Sequence, residues 1–127
     1  MDTGVITTQK LFIGTSIAAN TSLTLPDGAG IDLRRAAPNG VFSVYFKITG
    51  DGTAKVEYLL SSEEYGPFIE PSSASDVTTG QTKTSGPGSD GIDLVVFQPE
   101  IAPFMKIKIT ETGTASAITP NLWLNMQ

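Results

Sequence analysis

Apolar residues along this chain recur in short runs with a period of two, and each run stops at a glycine, proline, asparagine or aspartate. Runs rich in Val, Ile, Phe and Thr at that period suit pleated strands with one buried face. They predict strands over Lys10–Ile13, Ser22–Leu25, Val41–Thr49, Ala54–Ser61, Phe68–Glu70, Ile92–Gln98, Phe104–Thr110 and Ile118–Met126. No window carries a capped helical period, apart from a turn near Leu33–Ala37. About eight strands at this spacing predict an all-β antiparallel β-sandwich, jelly-roll-like in arrangement. With no internal repeat and no linker, 1–127 reads as a single domain, with 1–20 a candidate N-terminal arm contacting neighbours.

The central pair of runs supports a more detailed expectation. Thr49-Gly-Asp-Gly-Thr53 reads as a tight turn whose glycines supply positive φ. Centring it on Asp51 pairs Phe42 with Leu60, Val44 with Tyr58 and Phe46 with Val56, which keeps one face apolar. A one-residue slip would mix the faces, so this register is the expected one. It sets Lys47 opposite Lys55, with Glu57 diagonal to Lys47 and able to offset the like charges. On the last strand Leu122, Leu124 and Met126 alternate against Trp123 and Asn125, so Trp123 points away from its apolar neighbours. That strand is then either covered on both sides or carries Trp123 at a contact surface.

Composition narrows the function classes. Hydrophobic residues at 39% and charged residues at 17% fit a folded domain. A net charge of -5 argues against nucleic acid as a partner, because phosphate binding needs clustered Lys and Arg. No run approaches the roughly 20 apolar residues of a membrane helix, so no membrane partner is expected. Met1-Asp-Thr-Gly-Val5 has no basic stretch followed by an apolar run, so no secretory signal is expected. Cysteine and histidine are both absent, which removes thiolate chemistry, the commonest metal ligands and the commonest general base.

The remaining candidates for chemistry are thin. Glu63-Glu64 and Asp90 to Asp93 sit in expected loops, and neither pair has the context of a glycosidase dyad. Ser89, Asp90 and Asp93 could offer oxygens to calcium but lack a closing glutamate; such residues commonly shape turns instead. The loop Thr82–Gly91 contains Ser85-Gly-Pro-Gly-Ser-Asp90, a flexible small-residue stretch without the Gly-Lys-Ser/Thr of a phosphate cradle. Tyr45, Tyr58, Tyr65, Phe68 and Trp123 could build a sugar-stacking platform or serve the core. No enzyme activity, cofactor, metal or catalytic residue is expected.

Four segments of the second half carry a resemblance. They are Ala54-Lys-Val-Glu-Tyr-Leu-Leu-Ser-Ser62, Gly66-Pro-Phe-Ile-Glu-Pro-Ser-Ser-Ala74, Thr84-Ser-Gly-Pro-Gly-Ser-Asp-Gly-Ile-Asp-Leu94 and Ala102-Pro-Phe-Met-Lys-Ile-Lys-Ile-Thr-Glu-Thr-Gly113. In that order, from about Val41 to Gln127, the chain resembles small β-sandwich structural proteins of tailed bacteriophages and prophages. Phe104-Met-Lys-Ile-Lys-Ile109 is also similar to a strand of discoidin-type carbohydrate-binding sandwiches. The phage resemblance implies a virion location and a capsid decoration, head-fibre or tail-associated role. It implies other virion subunits as partners and a homo-oligomer, with a host surface glycan as a further candidate. The alternative is a carbohydrate-binding module or the receptor-binding part of a tail.

Contact residues expected on this reading are Leu11, Phe12, Ile13 and Trp123. Ordinary core packing is the competing assignment, above all for Leu11 and Ile13. The loop residues Ser85, Gly86, Pro87, Gly88, Ser89 and Asp90 are expected to project toward a neighbour or ligand.

Overall fold

The computed structural model describes residues 5–113 and 115–127; the first four residues of the arm expected over 1–20 lie outside them. The described chain forms nine strands and one helical turn. They are β1 (Thr7–Phe12), β2 (Ser22–Leu25), β3 (Ile31–Asp32), α1 (Leu33–Ala36), β4 (Phe42–Gly50), β5 (Ala54–Ser61), β6 (Thr78–Gln81), β7 (Ile92–Phe97), β8 (Phe104–Glu111) and β9 (Ile118–Met126). One sheet has the order β1-β9-β4-β7, and the other β2-β8-β5-β6 with β3 also paired to β8. All pairings are antiparallel. Without the two-residue β3, the remaining eight strands run first-eighth-third-sixth in one sheet and second-seventh-fourth-fifth in the other. That order is a jelly roll, two Greek keys folded into facing sheets.

Alternation places the core between the sheets. Phe42, Val44, Phe46 and Ile48 of β4 point inward beside Leu122, Leu124 and Met126 of β9. Val56, Tyr58 and Leu60 of β5 and Met105, Ile107 and Ile109 of β8 face them from the second sheet. Phe97 joins the halves at one end, with ring centroids 5.6 Å from both Phe42 and Tyr58. The helical turn starts at Asp32, whose carboxylate accepts from the Arg34 N–H at 3.0 Å and pairs with its guanidinium.

The expected β4–β5 hairpin does not form. β4 pairs with β9 and β7, and β5 pairs with β8 and β6, so the chain crosses from one sheet to the other between them. The glycines serve this crossing. A Cβ on Gly50 (φ +90) would lie 2.7 Å from the Ala117 carbonyl oxygen, and one on Gly52 would meet the Ser116 oxygen at 2.7 Å. Bare backbone is what lets the crossover pass against residues 116–118. Lys47 accordingly lies opposite Ile92 and Asn121 rather than Lys55. Glu57 opposes Lys108 across the other sheet.

Two further expectations change. Phe68–Glu70 is no strand; its only ladder contact is a single bridge between Ile69 and Leu60. Flanking Pro67 and Pro71 lack the N–H groups that would extend it. The arm expected over 1–20 contains an edge strand, β1, and two core residues, Phe12 and Ile17, so from Thr7 to Ile17 the chain is part of the sandwich.

Candidate interaction surface

The outer face of the β1-β9-β4-β7 sheet carries the most distinctive surface. Register aligns Lys10, Trp123, Tyr45 and Leu94 in one row across all four strands. Trp123 and Tyr45 are in contact, with ring centroids 5.4 Å apart at a tilt of 49°. The next row holds Thr8, Asn125, Ser43 and Val96, the last 73% exposed. Beyond it, Ile6, Val41 and Val96 line a shallow depression of about 130 Å³ with Ser43 and Asn125. Exposed Ile6, Val41, Tyr45, Leu94 and Val96 thus form one apolar tract around the half-buried Trp123. Lys10, Lys47 and Asn121 border it, and Thr8, Ser43 and Asn125 lie between the Trp123 row and the Ile6–Val41 depression.

These polar groups are held in place locally. The Thr8 hydroxyl donates to Asn125 Oδ1 at 2.8 Å, and the Gly14 N–H donates to Asn121 Oδ1 at 2.6 Å. An aromatic and aliphatic centre with an ordered polar rim is the composition of a protein-binding patch. Four strands of this length present a face of about 20 Å by 15 Å. That falls short of the roughly 800 Å² per partner of a stable interface. A stable interface on this face would need contacts beyond its flat area; Val5, Ile6 and Ile13 stand exposed around β1.

The anticipated contact residues separate. Trp123 lies on the outer face, as its alternation demanded. Phe12 is 0% exposed, fully inside the core, so its side chain cannot meet a neighbour. A register shift between Lys10 and Phe12 turns Leu11 aside, where it packs partly buried against the core. Ile13 is exposed just past the strand. Of the aromatic set only Tyr45 and Trp123 come together; Tyr58 is core, while Tyr65 and Phe68 lie on the connection between β5 and β6.

The Thr82–Gly91 loop is folded back at its base. Ser85 Oγ accepts from the Thr82 N–H at 2.9 Å, the Gly91 N–H donates to the Ser85 carbonyl at 2.8 Å, and the Ile48 N–H donates to the Gly91 carbonyl at 2.9 Å. Gly91, with φ +81, brings its backbone so close that a Cβ would sit 2.4 Å from the Ile48 oxygen. Lys83 is ion-paired to Asp51. Lys83, Thr84 and the tip Pro87, Gly88, Ser89 and Asp90 are exposed, while Ser85 and Gly86 are half-buried.

Among the described residues, Asp90 and Asp93 belong to no metal-ligand cluster. Asp90 accepts from the Ile92 N–H at 3.2 Å and Asp93 from the Leu94 N–H at 2.7 Å. Because the Gly91 carbonyl faces β4, alternation turns the Ile92 and Leu94 donors to the free side of β7. The two carboxylates therefore cap an exposed sheet edge.

Sequence reasoning missed the end of the sandwich opposite this loop. The segment Gln98–Pro103 rises as a ridge with Ile101 fully exposed at its crest. A cleft of about 650 Å³ flanks it beside Leu33, Pro38 and Phe42, and another of about 450 Å³ beside Leu60, Ile69 and Pro71. Glu100 anchors the ridge, accepting from the Tyr58 hydroxyl at 2.6 Å and the Ser73 hydroxyl at 2.7 Å. The Tyr58 donor holds the Glu100 carboxyl below the usual carboxylate range, and Ser73 adds to this. Burial, with Glu100 beside it, pushes the Tyr58 phenol up to about 12. Only the paired prolines Pro99 and Pro103 hinted at a stiff loop here.

No protein-family model and no curated protein sequence matches this chain. Among solved structures, a chain from the structure of infectious bursal disease virus Gx strain is similar, with a TM-score of 0.37 and 16% identity. The similarity covers 95% of this chain and 31% of that one, so the present chain spans about a third of its length.

Proposed function

We propose that this protein is a non-enzymatic structural subunit of a virion that binds neighbouring subunits through the outer face of the β1-β9-β4-β7 sheet. The apolar tract of Tyr45, Leu94, Val96 and Trp123 carries the reading, because such a surface is costly in water and gains by being covered. Jelly-roll topology and the absence of histidine and cysteine support it. The segments from Ala54 to Gly113 that resemble tailed-phage β-sandwich proteins favour a bacteriophage or prophage particle, with the protein as a capsid decoration, head fibre or tail-associated part. Its work is then burial of apolar area with hydrogen bonding at the rim, without turnover.

The test is assembly. Tyr45→Asp with Leu94→Asp puts two charges at the centre of the tract and leaves the core untouched. Wild-type protein is expected to oligomerise by light scattering and to be present in purified particles by mass spectrometry, and the double variant to remain monomeric and absent from them. A wild-type chain that stays monomeric at high concentration and is missing from particles overturns the reading.

A further inference from the structure

The connection from Ser62 to Val77 lies along the part of the β5 edge that β6 leaves uncovered and over the outer face of the second sheet. Ile69 and Leu60 exchange backbone hydrogen bonds at 2.8 and 2.9 Å, and the Val77 N–H donates to the Val56 carbonyl at 2.9 Å. Lys106 of β8 stands over the Phe68 ring, 4.8 Å from its centroid. Between these points the connection covers Glu57, which projects outward from β5 and is nevertheless only 6% exposed.

What faces Glu57 is mainly acid. Carboxylate oxygens of Glu57, Glu70 and Asp76 lie within 4.8 Å of one another. Lys55 Nζ is 3.7 Å from Glu57 and 3.8 Å from Asp76, and Lys108 of β8 opposes Glu57 in register. Lys106 is the next outward residue along β8 and is taken up by Phe68. β2 and β6 contribute no charged side chain, and Glu100 of the β7–β8 loop reaches the connection only through Ser73. Three carboxylates against the ammoniums of Lys55 and Lys108 leave one negative charge over; Glu57 is buried there, while Glu70 and Asp76 stand exposed at its margin.

We propose that the Ser62–Val77 connection is a proton-operated cover: Glu57, buried beneath it and faced by the carboxylates of Glu70 and Asp76, keeps the connection closed while protonated, and loss of its proton to solvent loosens the connection. A buried carboxyl that faces other carboxylates holds its proton more tightly, because burial and like charge both disfavour its ionised form. Burial pushes the Glu57 carboxyl above its usual range; Lys55 opposes this, Glu70 reinforces it, and Lys108 opposes it. For an acid whose folded value is raised, the stabilisation is full below the ordinary carboxylate range. It is lost as pH rises from there through the raised value. The cover is therefore closed in mild acid and loosened toward neutrality, which alters the cleft built partly from Pro67, Ile69 and Pro71.

Hydrogen exchange of the intact protein tests this, with rates corrected for the intrinsic pH dependence of exchange. Protection of the Ile69 and Val77 amides is expected to fall several-fold between about pH 5 and 7.5 in the wild type, in the direction that a raised Glu57 value requires. Amides of β8 and β9 serve as the internal reference. In Glu57→Gln the fall should vanish, and in Glu70→Gln it should shrink, since Glu57 then loses its like-charged neighbour. Glu70 is exposed, so that variant reports even if the Glu57 replacement fails to fold. A wild-type protection that does not change with pH, or a fall of the same size in Glu70→Gln, overturns the proposal.

Discussion

Replacing Glu111 by glutamine should be among the most damaging conservative changes in this protein. Glu111 ends β8 pointing inward and is 1% exposed. Its carboxylate accepts from the Asn20 N–H at 3.0 Å and the Thr53 N–H at 2.9 Å, so it holds the β1–β2 connection and the sheet-to-sheet crossover together. The Glu111 N–H also donates to the Thr21 carbonyl, and the Gly113 N–H donates to Asn20 Oδ1, closing a knot of three loops. Glutamine keeps one acceptor oxygen and turns an NH₂ group against the other backbone donor. One charge-assisted bond worth about 1.5–3 kcal/mol is lost, the other is weakened to a neutral bond, and a buried donor goes unpaired. A cost of roughly 3 kcal/mol follows, or about 10 °C in melting temperature for a domain of this size. Urea and thermal unfolding followed by far-ultraviolet circular dichroism measure it directly. Glu100→Gln serves as the comparison, because that carboxylate lies at the surface. A loss below about 1 kcal/mol for Glu111→Gln would mean that the loops hold without the carboxylate, and the argument would fail.

Three other outcomes are expected. Phe12→Ala should cost about 3–5 kcal/mol, whereas Ile13→Ala should stay within about 0.5 kcal/mol, as urea midpoints of the two variants will show. Gly91→Ala combines a positive φ with a Cβ 2.4 Å from the Ile48 oxygen, so it should lower the melting temperature more than Gly88→Ala, whose nearest contact is the side chain of Asp90. Glu100 has its folded value depressed, so its contribution is present above the ordinary carboxylate range and is lost as pH falls through the depressed value; Glu100→Gln should flatten the acid limb of the melting-temperature profile.

Local pattern in this chain reports which side of a strand is buried far better than which strand lies beside it. Phe42, Val44, Phe46, Val56, Tyr58 and Leu60 are core residues, as their alternation requires. The same alternation reads equally well for a hairpin and for a crossover, because both sheets of a sandwich turn their apolar residues toward one interior. Partner choice was decided by residues far away in sequence, where Ala117 and Ile118 press on Gly50 and Gly52. β6, with the sequence Thr-Thr-Gly-Gln, escaped notice because an edge strand built from polar residues has no apolar period. Phe68 and Ile69 misled in the opposite direction: they are apolar and belong to an irregular cover. On the outer face of the first sheet, Trp123 was legible from its parity alone. Tyr45, Leu94 and Val96 join it only through strand order, which no single segment encodes.

The two aspartates on β7 bear on how copies of this protein can meet. A strand edge with open donors invites another edge, and then another, so that growth by that route has no natural end. Asp90 and Asp93 occupy the Ile92 and Leu94 donors. With that route blunted, the proposed assembly would bring this sheet to its neighbours broadside, as a plate against a plate. Contacts of that kind stop when the face is covered, which suits a shell or a ring of defined size and disfavours an endless ribbon.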